Sequence, residues 1–233
     1  MTTQEFSNAF DVLLNSYSSQ AEFGDSHSAS DIILDEYEKS LLLTQAQEEL
    51  VIDLYTGRSG KEAFEGTEEL RQNLRDLIKT GTPTVTTGKG LSKNSKFFIL
   101  PKDVLFITYE YATIDDEAAC CSNGSEIIVK PITQDDFYRA NKNPFRQANK
   151  RRALRLDSGS LEVEVVSPYN IKDYTIRYLS KPTPIILANF DGGLSINNES
   201  TVTDCKLDSS MHKYILERAV ALALASRASR VQK

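Results

Sequence analysis

An α+β fold is predicted: N-terminal helices, a central antiparallel sheet with one inserted helix, and a long C-terminal helix. Three features carry that prediction. Apolar residues recur at helical spacing through residues 1–80 and again over 209–231. Between 97 and 187 they give way to short runs of β-branched and aromatic residues bounded by turn formers. Strands and helices do not alternate regularly, which argues against a parallel doubly wound sheet.

The first helix opens on Thr2-x-x-Glu5, a capping box in which hydroxyl and carboxylate each satisfy a free backbone amide. Phe6, Ala9, Phe10, Leu13, Leu14 and Tyr17 form its apolar stripe, and a polar stretch over 18–30 breaks it. Asp35-x-x-Glu38 repeats the capping logic. Tyr37, Leu41, Ala46, Leu50, Val51 and Leu54 then continue a second helix until Gly57 and Gly60 end it. A third helix is expected from Thr67, with Leu70, Leu74, Leu77 and Ile78 on one face. Glu68 and Glu69 in its first turn suit the helix dipole, and Gly81 and Pro83 stop it.

Strands are expected at 97–100, 104–114, 127–132, 161–166, 174–179 and 184–187. In the fourth, Leu161, Val163 and Val165 should point one way and Glu162 and Glu164 the other. Lys181-Pro182-Thr183-Pro184 interrupts the last pair, because proline gives no donor to a ladder. The inserted helix starts near Thr133, with Thr133-x-x-Asp136 as its cap and Phe137 and Tyr138 as its apolar contacts. In the closing helix, Tyr214, Ile215, Ala219, Leu222 and Ala223 form the buried stripe, with Arg218, Arg227 and Arg230 outside it.

Composition narrows the function. The 233 residues carry a net charge of −6 with 40% hydrophobic content, ordinary for a globular chain. The charge is uneven: residues 1–80 hold 16 acidic and 6 basic side chains, and the remainder 17 and 21. That pattern gives an acidic helical lobe and a mildly basic second part. No signal peptide is read at the start, and no apolar run approaches the roughly 20 residues a bilayer requires. Cys120, Cys121 and Cys205 include no CxxC pair and are read as free thiols, not zinc ligands.

No catalytic constellation emerges. His27 and His212, the two histidines, lack a Cys, Asp or Ser at motif spacing. Gly57-Arg58-Ser59-Gly60-Lys61 and the 81–89 stretch both miss the phosphate-loop spacing. The pairs Asp115-Asp116 and Asp135-Asp136 are explained by solvation and a helix start, without a metal. No enzyme activity and no cofactor are expected. The one dense basic run comprises Arg146, Lys150, Arg151, Arg152 and Arg155. It is read as a subunit interface, since the chain itself carries the opposite charge on its acidic lobe.

Four stretches together resemble a structural protein of crAss-like tailed phages of gut bacteria. They are residues 6–14 with Asp35-Glu36-Tyr37-Glu38-Lys39-Ser40 and 43–49; Pro131-Ile132-Thr133-Gln134-Asp135-Asp136-Phe137 running into Asn143-Pro144-Phe145-Arg146 and 151–156; 174–187; and 212–223. The resemblance covers most of the chain, and the order of the motifs carries it. It implies one connector-like domain over 1–233, with a helical lobe at 1–80, a mainly β part at 97–187 and the closing helix at 209–231. It further implies a ring, twelvefold, in the virion neck between portal and tail, assembled in the host cytoplasm. The partners it implies are copies of the chain, the portal protein, adjacent neck or tail rings and the DNA passing through, with no membrane. Two other readings stay open on the residues alone. One is a cytoplasmic non-catalytic adaptor; the other is a DNA-binding protein acting through residues 146–155.

Overall fold

The computed structural model describes residues 1–21, 33–57, 68–91, 94–117, 123–159 and 161–231. His27, Cys120, Cys121, the 58–61 segment and most of the 18–30 loop lie outside these residues, as do the side chains of Leu70, Arg227 and Arg230. The chain forms two compact units. Met1–Leu77 and Pro182–Lys233 make the first, and Ile78–Lys181 the second. The first holds 11 basic and 21 acidic residues, the second 16 and 12.

The first unit is helical. Both capping boxes form. At the start of helix α1 (Thr3–Ala21), the Thr2 amide donates to Glu5 at 2.8 Å and the Glu5 amide to Thr2 at 3.3 Å. Helix α2 (Glu36–Thr56) starts on Asp35 and ends at Gly57, which takes the left-handed φ of 72° that a side chain would resist. Phe6, Phe10 and Leu14 are fully buried. Helix α5 (His212–Val231) packs on α1 and α2. Ile215, Leu216, Ala219, Val220 and Ala223 are its buried apolar residues among those described, whereas Tyr214, expected inside, is 56% exposed. Arg218, expected outside the stripe, bonds Glu49 at 2.8 Å and Asp53 at 2.6 Å on α2. Lys39 is nearly buried and bonds Asp11 at 2.8 Å and Glu36 at 3.1 Å, joining α2 to α1.

A polar stripe on α2 has a structural cause. Ser40, Thr44 and Gln47 recur at i, i+4, i+7 on one buried face. They hold the 183–187 segment, of which 184–187, expected to be a strand, joins no ladder and makes a single bridge from Ile186 to Thr203. The Leu187 amide donates to Ser40 at 3.0 Å, the Ile185 amide to Thr44 at 3.1 Å, and Gln47 donates to the Thr183 carbonyl at 3.0 Å. Pro182 and Pro184, just before and within its first residues, keep this segment out of a ladder, so side chains satisfy its buried backbone. The third helix is short. Helix α3 covers only Glu68–Asn73, a 3₁₀ turn follows at Arg75–Leu77, and Ile78 leaves the helix because strand pairing claims it.

All strands lie in the second unit: β1 (Ile78–Gly81), β2 (Thr84–Thr86), β3 (Lys96–Ile99), β4 (Val104–Ile114), β5 (Glu126–Pro131), β6 (Arg152–Asp157), β7 (Glu162–Val166) and β8 (Ile171–Ser180). Their order is β1-β8-β4-β5-β6-β7-β3-β2. Strands β1 and β2 are sequence neighbours at opposite edges. Eight flat strands would separate the edges by about 34 Å, at ~4.8 Å per spacing. The link from Gly81 to Thr84 reaches about 11 Å at most. The sheet is therefore curled until its edges meet, and its core is the inside of the curl. Phe98, Ala112, Ile114, Ile127, Ala153 and Tyr174 are among the residues buried there. Strand β7 alternates as expected at Val163 and Val165, but Glu164 on its polar side is buried and accepts from the Leu91 amide at 2.6 Å.

One pair departs from the antiparallel rule. Strands β5 and β6 run parallel, joined by helix α4 (Gln134–Lys142) as a crossover. The 20 residues between them exceed the dozen or so that a parallel connection needs. Phe137 and Ala148 pack on Leu154, Leu156 and Val166, the outer face of the sheet. Thr133 occupies the cap position of α4 but makes no side-chain capping bond, so its expected box with Asp136 does not form.

Candidate docking surface

The basic run does not act as one patch. Strand β6 begins at Arg152 and alternates: Leu154 and Leu156 pack beneath α4, so Ala153 and Arg155 face the core. Arg155 is withdrawn from the surface, with its side chain 11% exposed. Its Nη1 donates to Glu110 Oε1 at 2.9 Å, and the Tyr174 hydroxyl donates to Glu110 Oε2 at 2.5 Å. Its Nε lies 3.3 Å from Asp157, a charge contact without hydrogen-bond geometry. Burial pushes the Glu110 carboxyl above the usual range against the pull of Arg155 and Tyr174. Burial and the same carboxylate drive the Tyr174 phenol well up. For Arg155, burial works against the charge, and Glu110, Tyr174 and Asp157 together outweigh it and hold the guanidinium charged. The expectation that Arg155 forms part of an outward-facing basic run therefore gives way to an internal ion pair.

Arg152 also turns to its own chain. Its Nη2 donates to the carbonyls of Phe145 at 2.5 Å and Gln147 at 3.2 Å. Asn143 braces the same loop: its side chain accepts from the Phe145 amide at 2.9 Å, and its carbonyl accepts from the amides of Arg146 and Gln147. Arg146, Lys150 and Arg151 stay on the surface, and none forms an ion pair among the described residues.

Two exposed aromatic side chains lie in the same 138–151 stretch as these three cations. Phe145 is 87% exposed at the loop tip. Tyr138 is 69% exposed on the outer face of α4, with the Lys142 ammonium 4.3 Å from its ring centre. Reading the run by charge alone passed over Phe145. The signal was present: Asn143-Pro144 announces a turn, and a phenylalanine at a turn tip has nowhere local to hide. Aromatic residues and arginine, exposed within one short stretch of chain, are the composition of a protein-docking surface.

At the other end of β6 the curled sheet opens. Strand β5 pairs with β4 only from Tyr111 to Thr113 and then follows β6. Where they part lies a cleft of about 390 Å³, lined by Leu100, Val104, Ile107 and Leu161 and edged by Asp157 and Glu162. Its floor is the Glu110–Arg155 pair. Asp103, near the start of β4, accepts from Lys79 at 2.7 Å and Tyr178 at 3.0 Å. Burial would raise its carboxyl, but these donors outweigh it and hold it low. Burial and the Asp103 bond push Tyr178 up to about 12.

Among the described residues no cluster of His, Cys, Asp or Glu is placed to hold a metal. None of the described helices is long and apolar enough to cross a membrane. The phage tail ring protein 3/4 family model matches residues 1–233. The chain is 50% identical to Ring protein 3 of Bacteroides phage crAss001, across 97% of this chain and 96% of that protein. It is 35% identical to Ring protein 4/5 of the same phage, across 97% and 93%. With a family match over its whole length and two relatives aligned nearly end to end, the chain belongs to the phage tail ring protein 3/4 family.

Proposed function

We propose that this chain is a non-catalytic virion protein whose copies close into a ring in the phage neck, between portal and tail. The observation that carries the reading is the partition of charge in a member of a ring family. One compact unit holds 21 acidic and 11 basic residues, and the other 12 and 16. A ring closed by rotation needs two different, complementary faces on each subunit. The exposed cations Arg146, Lys150 and Arg151 supply a positive face, and the chain's excess of carboxylates leaves negative ones for a neighbour to present. Complementary charge favours encounter and register between copies and penalises misassembly.

The finer parts of the proposal follow. The chain works as one connector-like subunit in a twelvefold ring, touches the portal or an adjacent ring, and lines the DNA exit channel. An acidic lumen lets DNA pass without adhering, because like charge repels phosphate. Assembly takes place in the host cytoplasm. An electron-microscopy map of the neck tests all of this. A ring of this chain outside the neck, or a lumen lined by its lysines and arginines, would sink the corresponding part.

A further inference from the structure

We infer that the contact between neighbouring copies is a knob and a hole: Phe145 of one copy seats in the cleft between β4 and β6 of the next. The inference rests on the ring reading and names the residues that close the ring.

Each half is a built feature. The knob is a phenylalanine 87% exposed, on a loop fixed by Arg152 and Asn143 rather than left free. Holding an apolar anchor in place before contact lowers the entropy cost of association. The hole is a cleft of about 390 Å³, at the small end of pocket sizes, walled by Leu100, Val104, Ile107 and Leu161.

Charge matches as well. Arg146, Lys150 and Arg151 are exposed in the segment that carries the knob, while Asp157 and Glu162 line the hole. Asp157 is 71% exposed, so part of its charge faces outward despite its contact with Arg155. An apolar anchor meeting apolar walls within a charged rim matches the anatomy of a specific interface.

Position decides between one copy and two. The knob precedes the first residue of β6 and the hole lies at its last, so the length of a six-residue strand, roughly 17–20 Å, separates them. The knob therefore cannot fill its own hole. A contact joining opposite ends of identical units is heterologous and repeats around a ring.

The test uses the full chain with its three native cysteines replaced by serine. Phe145→Cys together with Leu161→Cys, oxidised, should give a ladder of disulfide-linked dimers, trimers and higher species, in solution or in particles. Either substitution alone should give no ladder. Phe145→Ala should weaken self-association by about 30-fold or more, the scale of an interface hot spot. Rings in micrographs with no ladder, or with unchanged assembly in Phe145→Ala, would overturn this contact and leave the ring reading standing. Cross-linking of the Phe145→Cys chain to a different virion protein would overturn the assignment of the occupant. A chain that forms no ring in solution or in particles would remove the ring reading, and this contact with it.

Discussion

Replacing Arg155 by methionine separates its internal role from the surface role that the basic run suggests. The substitution keeps much of the volume and removes the charge. Glu110, 6% exposed, would keep only the Tyr174 hydroxyl as a close partner. Removing one member of a buried ion pair costs about 3–5 kcal/mol, because the remaining charge is left uncompensated. For a chain of 233 residues each kcal/mol lowers the melting temperature by about 2–4 °C, so the loss should be at least about 6 °C. Arg151→Ala, on the exposed loop, should stay within about 0.5 kcal/mol of the parent. The assay is thermal and urea unfolding of the full chain, followed by near-ultraviolet tyrosine dichroism, which reports Tyr174 and Tyr178. A third variant, Glu110→Leu with Arg155→Met and Tyr174→Phe, empties the network of polar groups and should recover most of the loss, since an apolar replacement of a buried pair is often neutral. If Arg155→Met unfolds with Arg151→Ala, or loses assembly while melting normally, the internal pair is not what Arg155 provides.

Thr44→Val should cost about 1–3 kcal/mol in urea unfolding, because the buried Ile185 amide loses its acceptor and the 183–187 segment its central tie to α2. His212 donates from Nε2 to the Leu207 carbonyl at 3.1 Å, and burial holds its pKa below the usual value. The unfolded chain therefore takes up the proton first, so stability is full above about pH 6.5 and falls as pH drops through that value. His212→Gln should flatten the slope of the urea midpoint between pH 7.5 and 5.5; an unchanged slope would assign it to other groups. Duplex DNA binding should be weak: with Arg152 and Arg155 engaged internally, three cations of the run remain. The salt slope should then not exceed about −2.7, whereas all five in contact would give about −4.5.

What the sequence revealed was whatever is decided locally. Thr2-x-x-Glu5 and Asp35-x-x-Glu38 cap their helices without reference to the rest of the chain, and both form. The 104–114 run is a strand by composition, and its bounds match. Strands β1 and β2 were illegible because nothing within Ile78–Gly81 or Thr84–Thr86 demands a ladder; β8 and β3 supply it. The Ser40, Thr44 and Gln47 stripe was hidden because a polar face reads as a wet one. It is dry only because extended backbone lies against it. Arg155 was misplaced for a related reason. In Arg152-Ala153-Leu154-Arg155-Leu156-Asp157 both faces hold a buried residue, so parity cannot be read until α4 covers one of them.

The single parallel pair in this sheet bears on how such a chain makes a ring. In an antiparallel hairpin the connection leaves and re-enters at the same end, so consecutive strands share one loop edge. A parallel crossover instead returns the chain to the end where the first strand began. Helix α4 does this between β5 and β6, bringing the Phe145 loop to the start of β6, at the opposite end of the strand from Asp157, whose carbonyl accepts from Gln134 at 2.9 Å. The unit thereby gains two ends of different character, cationic and aromatic at one, acidic and hollow at the other. A subunit with identical ends can only pair, whereas one with unlike, complementary ends can continue around a circle. The crossover is thus the topological step that makes a heterologous contact available, and Arg155 has a place in it. By pairing with Glu110 at the floor of the cleft, it offsets a buried charge beneath the apolar walls of Leu100, Val104, Ile107 and Leu161.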